Sequence, residues 1–316
     1  NKSSCIAERQ AVLVSWTHPE KGGIPPDFRC SGNLLPSSSP NLNDVLKPAR
    51  ENHYAVGLFN TCSLEFARGV IAAAEETQSP VIIGTAEILL PVASLEEMAE
   101  MLIPMAKRAS VPVVVHLDHG LNAETCKKAL ELGFSSIMYD CSTDPYDVNV
   151  QKVAEMAKLA HAYGATIEGE LGHVGNNPTT EDGEVDPSAF YTEPGEALDF
   201  VTKTGVDALA IAVGTAHGAY KLPPKLDFQR IREIEGTIDA SLVLHGGSGL
   251  TDDDFRKAID EGISKINIFT DINMAAAKAA HDGYENGSVL LTDLQPMMVE
   301  AVKQATIKKM NIFKNR

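Results

Sequence analysis

Basic side chains are scarce in this 316-residue chain: 27 Lys and Arg stand against 43 Asp and Glu, for a formal charge of −16 and a pI near 5.0. Without a Lys/Arg cluster there is no basic face to displace counterions, which excludes nucleic acid and anionic membrane as main partners while leaving room for a small anion at a local positive site. Also missing is any apolar run near the roughly 18 residues needed to cross a bilayer, and Ala11–Trp16 is too short for a secretory core. The cysteines, at 5, 30, 62, 126 and 141, lack C-x-x-C pairing, are odd in number and lie far apart. Neither a disulfide framework nor a thiolate zinc site is expected, and the compartment is expected to be reducing and cytoplasmic.

What is present is ordinary for a soluble globular protein, 44% apolar and 22% charged, which excludes disorder and collagen. Residues 1–43 are rich in Pro, Ser and Gly without periodicity and begin with Asn, so we expect an irregular extension with a trimmed or replaced start. No boundary is visible after Asn43, and residues 44–316 are expected to form one domain.

From Tyr54 onward, short Val/Ile-rich runs alternate with longer stretches of helical period. Eight runs read as strands: Tyr54–Phe59, Pro80–Gly84, Pro112–Leu117, Ser135–Tyr139, Ala165–Glu168, Ala208–Val213, Leu242–Leu244 and Lys265–Phe269. Helix starts are marked by a capping box at Ser94-Leu-Glu-Glu97, by Asp144-Pro145 as cap plus first-turn proline, and by Thr251 before three aspartates. Pro104 predicts a kink or break, and Gly133, Gly164, Gly205 and Gly262 predict left-handed helix ends. Repeated βα units of this number predict a TIM (β/α)8 barrel. A doubly wound sheet would need Gly-x-Gly-x-x-Gly after its first strand, where Phe59-Asn-Thr-Cys-Ser63 stands.

In such a barrel, chemistry sits at the carboxyl ends of the strands, and polar residues cluster there. Asn60, Asp118-His119, Asp140, Glu168 and Glu170, Gly214-Thr-Ala-His217-Gly218, His245-Gly-Gly-Ser248, and Asn267 with Thr270 end successive strands. His119, His217 and His245, three of the nine histidines, meet the needs of a three-imidazole zinc site with an open fourth position. Asp118 is placed to act as general acid and base on a substrate hydroxyl, or to orient an imidazole. Asp140 and Glu170 can hold a second cation or form a salt-bridged rim. Gly246-Gly-Ser248-Gly249 is a nest for an anion, to which Gly218, Lys221 and Thr270 can add a backbone donor, a cation and a hydroxyl. The long acidic loop from His173 to Phe190 is either a lid carrying a base, Glu181 being the best placed, or a solvated loop.

His-Leu-Asp-His-Gly at 116–120, Glu-Gly-Glu-Leu-Gly at 168–172, Gly-Thr-Ala-His-Gly at 214–218, Leu-His-Gly-Gly-Ser-Gly at 244–249 and Lys-Ile-Asn-Ile at 265–268 closely resemble the motifs of class II ketose-bisphosphate aldolases, in order along the chain. The resemblance implies zinc-dependent, reversible cleavage of a phosphorylated ketose to dihydroxyacetone phosphate and an aldehyde. It implies His119, His217 and His245 as zinc ligands, Asp118 as acid/base at the cleaved carbon's hydroxyl, and Glu181 as acid/base on the carbanion side. Asp140 and Glu170 match a second metal position. Gly218, Lys221, Gly246, Ser248, Asn267 and Thr270 match substrate contacts beside a monovalent cation, Na+ or K+, and Asn60 is grouped with them. A homodimer or homotetramer is implied.

Fructose-bisphosphate members often carry an Asp and an Arg where this chain has Phe269 and Asn273, and a Ser where it has Ala86. These departures point toward a tagatose bisphosphate, a ketose 1-phosphate or a sugar-acid phosphate. A metal-dependent hydrolase or isomerase would show His-x-His on the first strand, where Phe59-Asn60 stands, and an inactive subunit partner would not need Asp118 and the histidines.

Overall fold

The computed structural model describes residues 39–172, 191–215 and 225–314. Its strands are β1 (Val56–Asn60), β2 (Val81–Ala86), β3 (Val113–Gly120), β4 (Ser136–Tyr139), β5 (Thr166–Leu171), β6 (Ala208–Ile211), β7 (Ser241–Leu244) and β8 (Ile263–Ile268). All pair in parallel with their neighbours in chain order, and β8 returns to β1 with Leu58 opposite Asn267, so the sheet closes into a barrel. The helices are α1 (Leu42–Glu51), α2 (Leu64–Thr77), α3 (Leu95–Arg108), α4 (Ala123–Leu132), α5 (Tyr146–Ala162), α6 (Pro194–Thr204), α7 (Phe228–Glu235), α8 (Asp252–Asp260), α9 (Thr270–Glu285) and α10 (Leu291–Phe313). The fold is the TIM barrel that the alternating pattern predicts.

Strand residues alternate between two environments, as the pleat requires. Phe59, Ile83, Val115, Ile137, Ile167, Leu209, Leu244 and Ile266 pack in one large cluster with the surrounding helices. Val56, Leu58, Ile82, Val114, Ala208, Ala210 and Val243 form a second cluster with Leu42, Val45, Leu46 and Ala49 of α1. That helix therefore plugs the amino-terminal mouth of the barrel. It starts with a capping box between Asn41 and Asp44, and the Leu42 N–H donates to Thr166 Oγ1 at 3.0 Å on β5. Two residues of the expected extension, 42 and 43, thus belong to the barrel's own closure; residues 1–38 lie outside the described part.

Toward the opposite mouth the inner positions turn polar: Asn60, His116 and Asp118, Ser136, Glu168 and Glu170, His245, Lys265 and Asn267 are all buried. β6 contributes only small inner side chains, Ala208 and Ala210, which leaves volume for the long polar ones opposite.

Two local expectations need correction. α3 runs unbroken through Pro104, because Pro104 and Glu100, whose carbonyl loses its partner, both face solvent near the helix end. Pro145, not Asp144, is the N-cap of α5, and Asp144 instead takes Lys152 Nζ at 2.7 Å. The helix after the glycine turn, α8, starts where expected, with Thr251 as N-cap in a capping box with Asp254 and with Asp252, Asp253 and Asp254 in the first turn. It therefore does not offer an anion its dipole. The glycine stops at 133 and 205 are left-handed helix caps, and Gly164 and Gly262 take positive φ one residue further on.

Candidate active site

Asp118 and His119 are consecutive, and in a regular strand their side chains would point to opposite sides of the sheet. The chain avoids this by a register shift against β4 between Leu117 and Gly120 and by placing His119 at φ 42°, a left-handed conformation uncommon for a residue with a side chain. Both side chains then reach one site: donor atoms of Asp118, His119 and His245 lie within 4.8 Å of one another, and those of His119, Asp140 and Glu170 form an overlapping group. The His119 and His245 rings meet edge to face, 4.6 Å between centroids.

Asp118 is 2% exposed, and both its oxygens are used. Asn60 Nδ2 on β1 donates to Oδ2 at 2.7 Å, and Asn267 Nδ2 on β8 donates to Oδ1 at 3.0 Å. Burial pushes this carboxyl up, but the charges of His119, Lys265 and His245 outweigh it and hold it below the usual carboxylate range. It is an ionised carboxylate in a buried site.

His119 Nδ1 meets Asp140 Oδ2 at 2.9 Å, and Asp140 Oδ1 accepts the Ser142 N–H at 3.0 Å. A carboxylate on one imidazole nitrogen leaves the other to face a metal. His245 is wholly buried between two carboxylates, with Nε2 at 2.8 Å from Glu168 Oε1 and Nδ1 at 3.2 Å from Glu170 Oε2. Burial alone would lower its pKa, but Glu168 and Glu170 carry it up to about 10, so without a metal it holds an extra proton. Ligands about 2.0–2.2 Å from a tetrahedral zinc are about 3.3–3.5 Å apart, close to the separation of Nδ1 and Glu170 Oε2. The donor set of imidazoles and carboxylates, and that spacing, fit a divalent cation.

Beneath these groups lies a buried charge cluster that the sequence motifs contained without revealing its role. Lys265 Nζ, wholly buried, sits 2.7 Å from Glu168 Oε2 and donates to Asn267 Oδ1 at 2.8 Å. His116 Nδ1 meets Ser136 Oγ at 2.7 Å; burial, with Lys265 nearby, lowers its pKa to about 3, so it is neutral. The available signal was a lysine two residues from Asn267 in a strand otherwise rich in Ile, at the same inward phase.

At the glycine turn, Gly246 and Gly249 take positive φ, and a Cβ on Gly247 would lie 2.9 Å from the Asn267 carbonyl oxygen. Buried Ser248 faces the start of α9, where the Asp271 N–H points to Ser248 Oγ at 3.5 Å. The N-cap residue Phe269 offers that helix no side-chain cap, and its first turn carries Thr270 and Asp271 beside Ser248. The other expected site residues, Glu181, His217, Gly218 and Lys221, lie outside the described residues. Among described helices none is long and apolar enough to cross a membrane.

Comparison with known proteins agrees with this geometry. The family described as fructose-bisphosphate aldolase class-II matches residues 40–316. YdjI of Escherichia coli K12 is 38% identical over 265 residues, covering 84% of this chain and 94% of that protein. Its crystal structure, described as the YdjI aldolase, superposes with a TM-score of 0.78 over 86% of this chain and 96% of that one. A fructose-bisphosphate aldolase of Staphylococcus aureus is 40% identical over 250 residues, covering 78% of this chain and 86% of that protein. The family match over nearly the whole described chain and relatives at this identity and coverage show that the chain belongs to the class II fructose-bisphosphate aldolases and is a lyase.

Proposed function

We propose that the protein is a zinc-dependent aldolase that reversibly cleaves a phosphorylated ketose to dihydroxyacetone phosphate and an aldehyde. The observation that carries this reading is an ionised, buried Asp118 gripped by two amides in a donor group with His119 and His245 that overlaps a second group of His119, Asp140 and Glu170. His119 and His245, with His217, would hold the zinc; Asp140 and Glu170 would provide its alternative position or that of a second divalent ion. Bound there, the cation supplies Lewis-acid stabilisation of the negative charge that develops on the ketone oxygen when the carbon–carbon bond breaks.

Asp118 takes the proton from the hydroxyl of the carbon that becomes the aldehyde, and the electron pair of the broken bond moves into the dihydroxyacetone phosphate half. Asn60 and Asn267 keep Asp118 in line, and the charges of His119, Lys265 and His245 keep it ionised against burial. The buried Asn60 Oδ1, which has no hydrogen-bond partner among the described residues, is an acceptor for a substrate hydroxyl. Glu181 returns a proton to the carbanion carbon. Gly246, Ser248 and Thr270, with Gly218, Lys221 and a Na+ or K+ ion, bind the phosphate of the dihydroxyacetone half.

For the aldehyde half, Phe269, the exposed Asn273 and Ala86 stand where fructose-bisphosphate members carry polar or charged groups. They favour a tagatose bisphosphate or a ketose lacking the distal phosphate, such as a ketose 1-phosphate or sugar-acid phosphate. The test is zinc-dependent release of dihydroxyacetone phosphate by metal-stripped protein from fructose and tagatose bisphosphates and ketose 1-phosphates, ranked by kcat/KM. Turnover equal with and without zinc on every substrate overturns the reading.

The three described cysteines are free thiols, in keeping with the cytoplasm. A homodimer or homotetramer is supported by exposed apolar residues at the α9–α10 junction, including Val289, Leu290 and Leu291, and light scattering tests it.

A further inference from the structure

We propose that Lys265 is a positioning residue of the aldol step, fixing which way the Asn267 amide points and through it the line of attack of Asp118. The inference rests on Asp118 being the base of the proposed cleavage.

The argument begins with an amide that has two possible orientations. Asn267 Oδ1 accepts from Lys265 Nζ at 2.8 Å, and Asn267 Nδ2 donates to Asp118 Oδ1 at 3.0 Å. Turned over, the amide would set its NH2 against an ammonium and its carbonyl against a carboxylate. Both contacts would be repulsive and neither could be relieved by water, since all three side chains are buried. Lys265 can do this only because it is itself held: Glu168 Oε2 lies 2.7 Å from Nζ, and Glu168 Oε1 is tied to His245 at 2.8 Å. One ammonium therefore links the hydrogen bond on the base to the carboxylate that orients a metal-site imidazole.

A buried lysine in an aldolase barrel also invites a covalent role, with Nζ attacking the ketone. The geometry argues against it. Nζ meets Glu168 Oε2 and Asn267 Oδ1 as a donor, and an ammonium held by a buried carboxylate has no lone pair with which to attack.

Removing the charge alone would leave Glu168 buried without its partner and could prevent folding, so the decisive variant is the double Lys265→Met/Glu168→Gln, which leaves no buried charge unpaired. In the zinc-loaded enzyme its kcat is expected to fall on the order of tenfold to a hundredfold, as small misplacements of a base do, with KM changing far less. In the Asn267→Ala background the same double change is expected to lower kcat several-fold less than in the parent, leaving only the part that passes from Glu168 to His245, because the amide through which Lys265 acts is gone. An equal fold-loss in both backgrounds, or none in either, overturns the inference.

Independent of activity, the Asn267 side-chain amide resonances of the metal-free protein are expected to shift and broaden in the double variant relative to the parent. Unchanged resonances overturn the positioning role even if the cleavage assay finds the wrong substrate. Borohydride added with dihydroxyacetone phosphate is expected to leave Lys265 unmodified, and a reduced adduct on Lys265 would replace positioning by covalent catalysis.

Discussion

Asp118→Asn keeps the volume of a side chain that is 2% exposed and changes only what it offers its neighbours. Both carboxylate oxygens accept amide protons, from Asn60 at 2.7 Å and from Asn267 at 3.0 Å. A carboxamide has one oxygen, so whichever way it turns its NH2 meets another NH2. One charge-assisted bond worth about 1.5–3 kcal/mol is lost outright, and the other becomes a bond between neutral groups. Folding stability is expected to drop by about 1–3 kcal/mol. The chemical loss is larger, because a base that removes the hydroxyl proton contributes typically 10²–10⁴-fold. A fall of about 10³ in kcat, roughly 4 kcal/mol of barrier, is expected.

The assay is dihydroxyacetone phosphate release at saturating zinc, with metal content measured in the same preparation. Solvent deuterium exchange into dihydroxyacetone phosphate is followed alongside, since in the proposed reaction it needs the metal and Glu181 but no base on the aldehyde side. Exchange is expected to stay within about threefold of the parent enzyme. A kcat within about tenfold of the parent at full metal content would refute the role of Asp118 as base, and exchange lost in step with cleavage would recast it as an orienting group for His119.

Other perturbations probe the surrounding site. Glu168→Gln strands Lys265 without its carboxylate, which costs about 3–5 kcal/mol in urea unfolding of chelated protein, and adding Lys265→Met is expected to restore most of it; additive losses would contradict the pairing. The pKa of His245 is raised to about 10, above its ordinary value, so it must shed a proton to bind a metal. Apparent zinc affinity is therefore expected to fall about tenfold for each pH unit lowered between pH 8 and 6.5, and a flat profile in metal-buffered titrations would contradict it. In the chelated protein the same shift stabilises fully below about pH 6.5 and is lost as pH rises toward 10, which thermal unfolding across that range reads directly. Gly84→Ala would place a Cβ 2.3 Å from the His116 carbonyl oxygen on the neighbouring strand, and is expected to cost about 1–3 kcal/mol in urea unfolding; neutrality would contradict the close approach of β2 and β3.

The barrel and its polar rim were legible without coordinates because both are local: strands and helices announce themselves by their periods, caps and glycine stops, and Asn60, Asp118, His245 and Asn267 each stand at a strand's end. Local rules also misled where a neighbour decides the outcome, as when Asp144 left its cap for Lys152. What sequence alone could not show is which strand ends meet. Asp118 and Asn267 are 149 residues apart, and only closure of β8 onto β1 brings Asn60 and Asn267 to the two oxygens of one carboxylate. The left-handed turn at His119 overrides strand alternation, and no period in the sequence records it. Lys265 stood in the sequence only as the first residue of a strand run and of the Lys-Ile-Asn-Ile motif until the barrel interior set it between Glu168 and Asn267, because the worth of a buried charge depends on partners that the fold alone supplies.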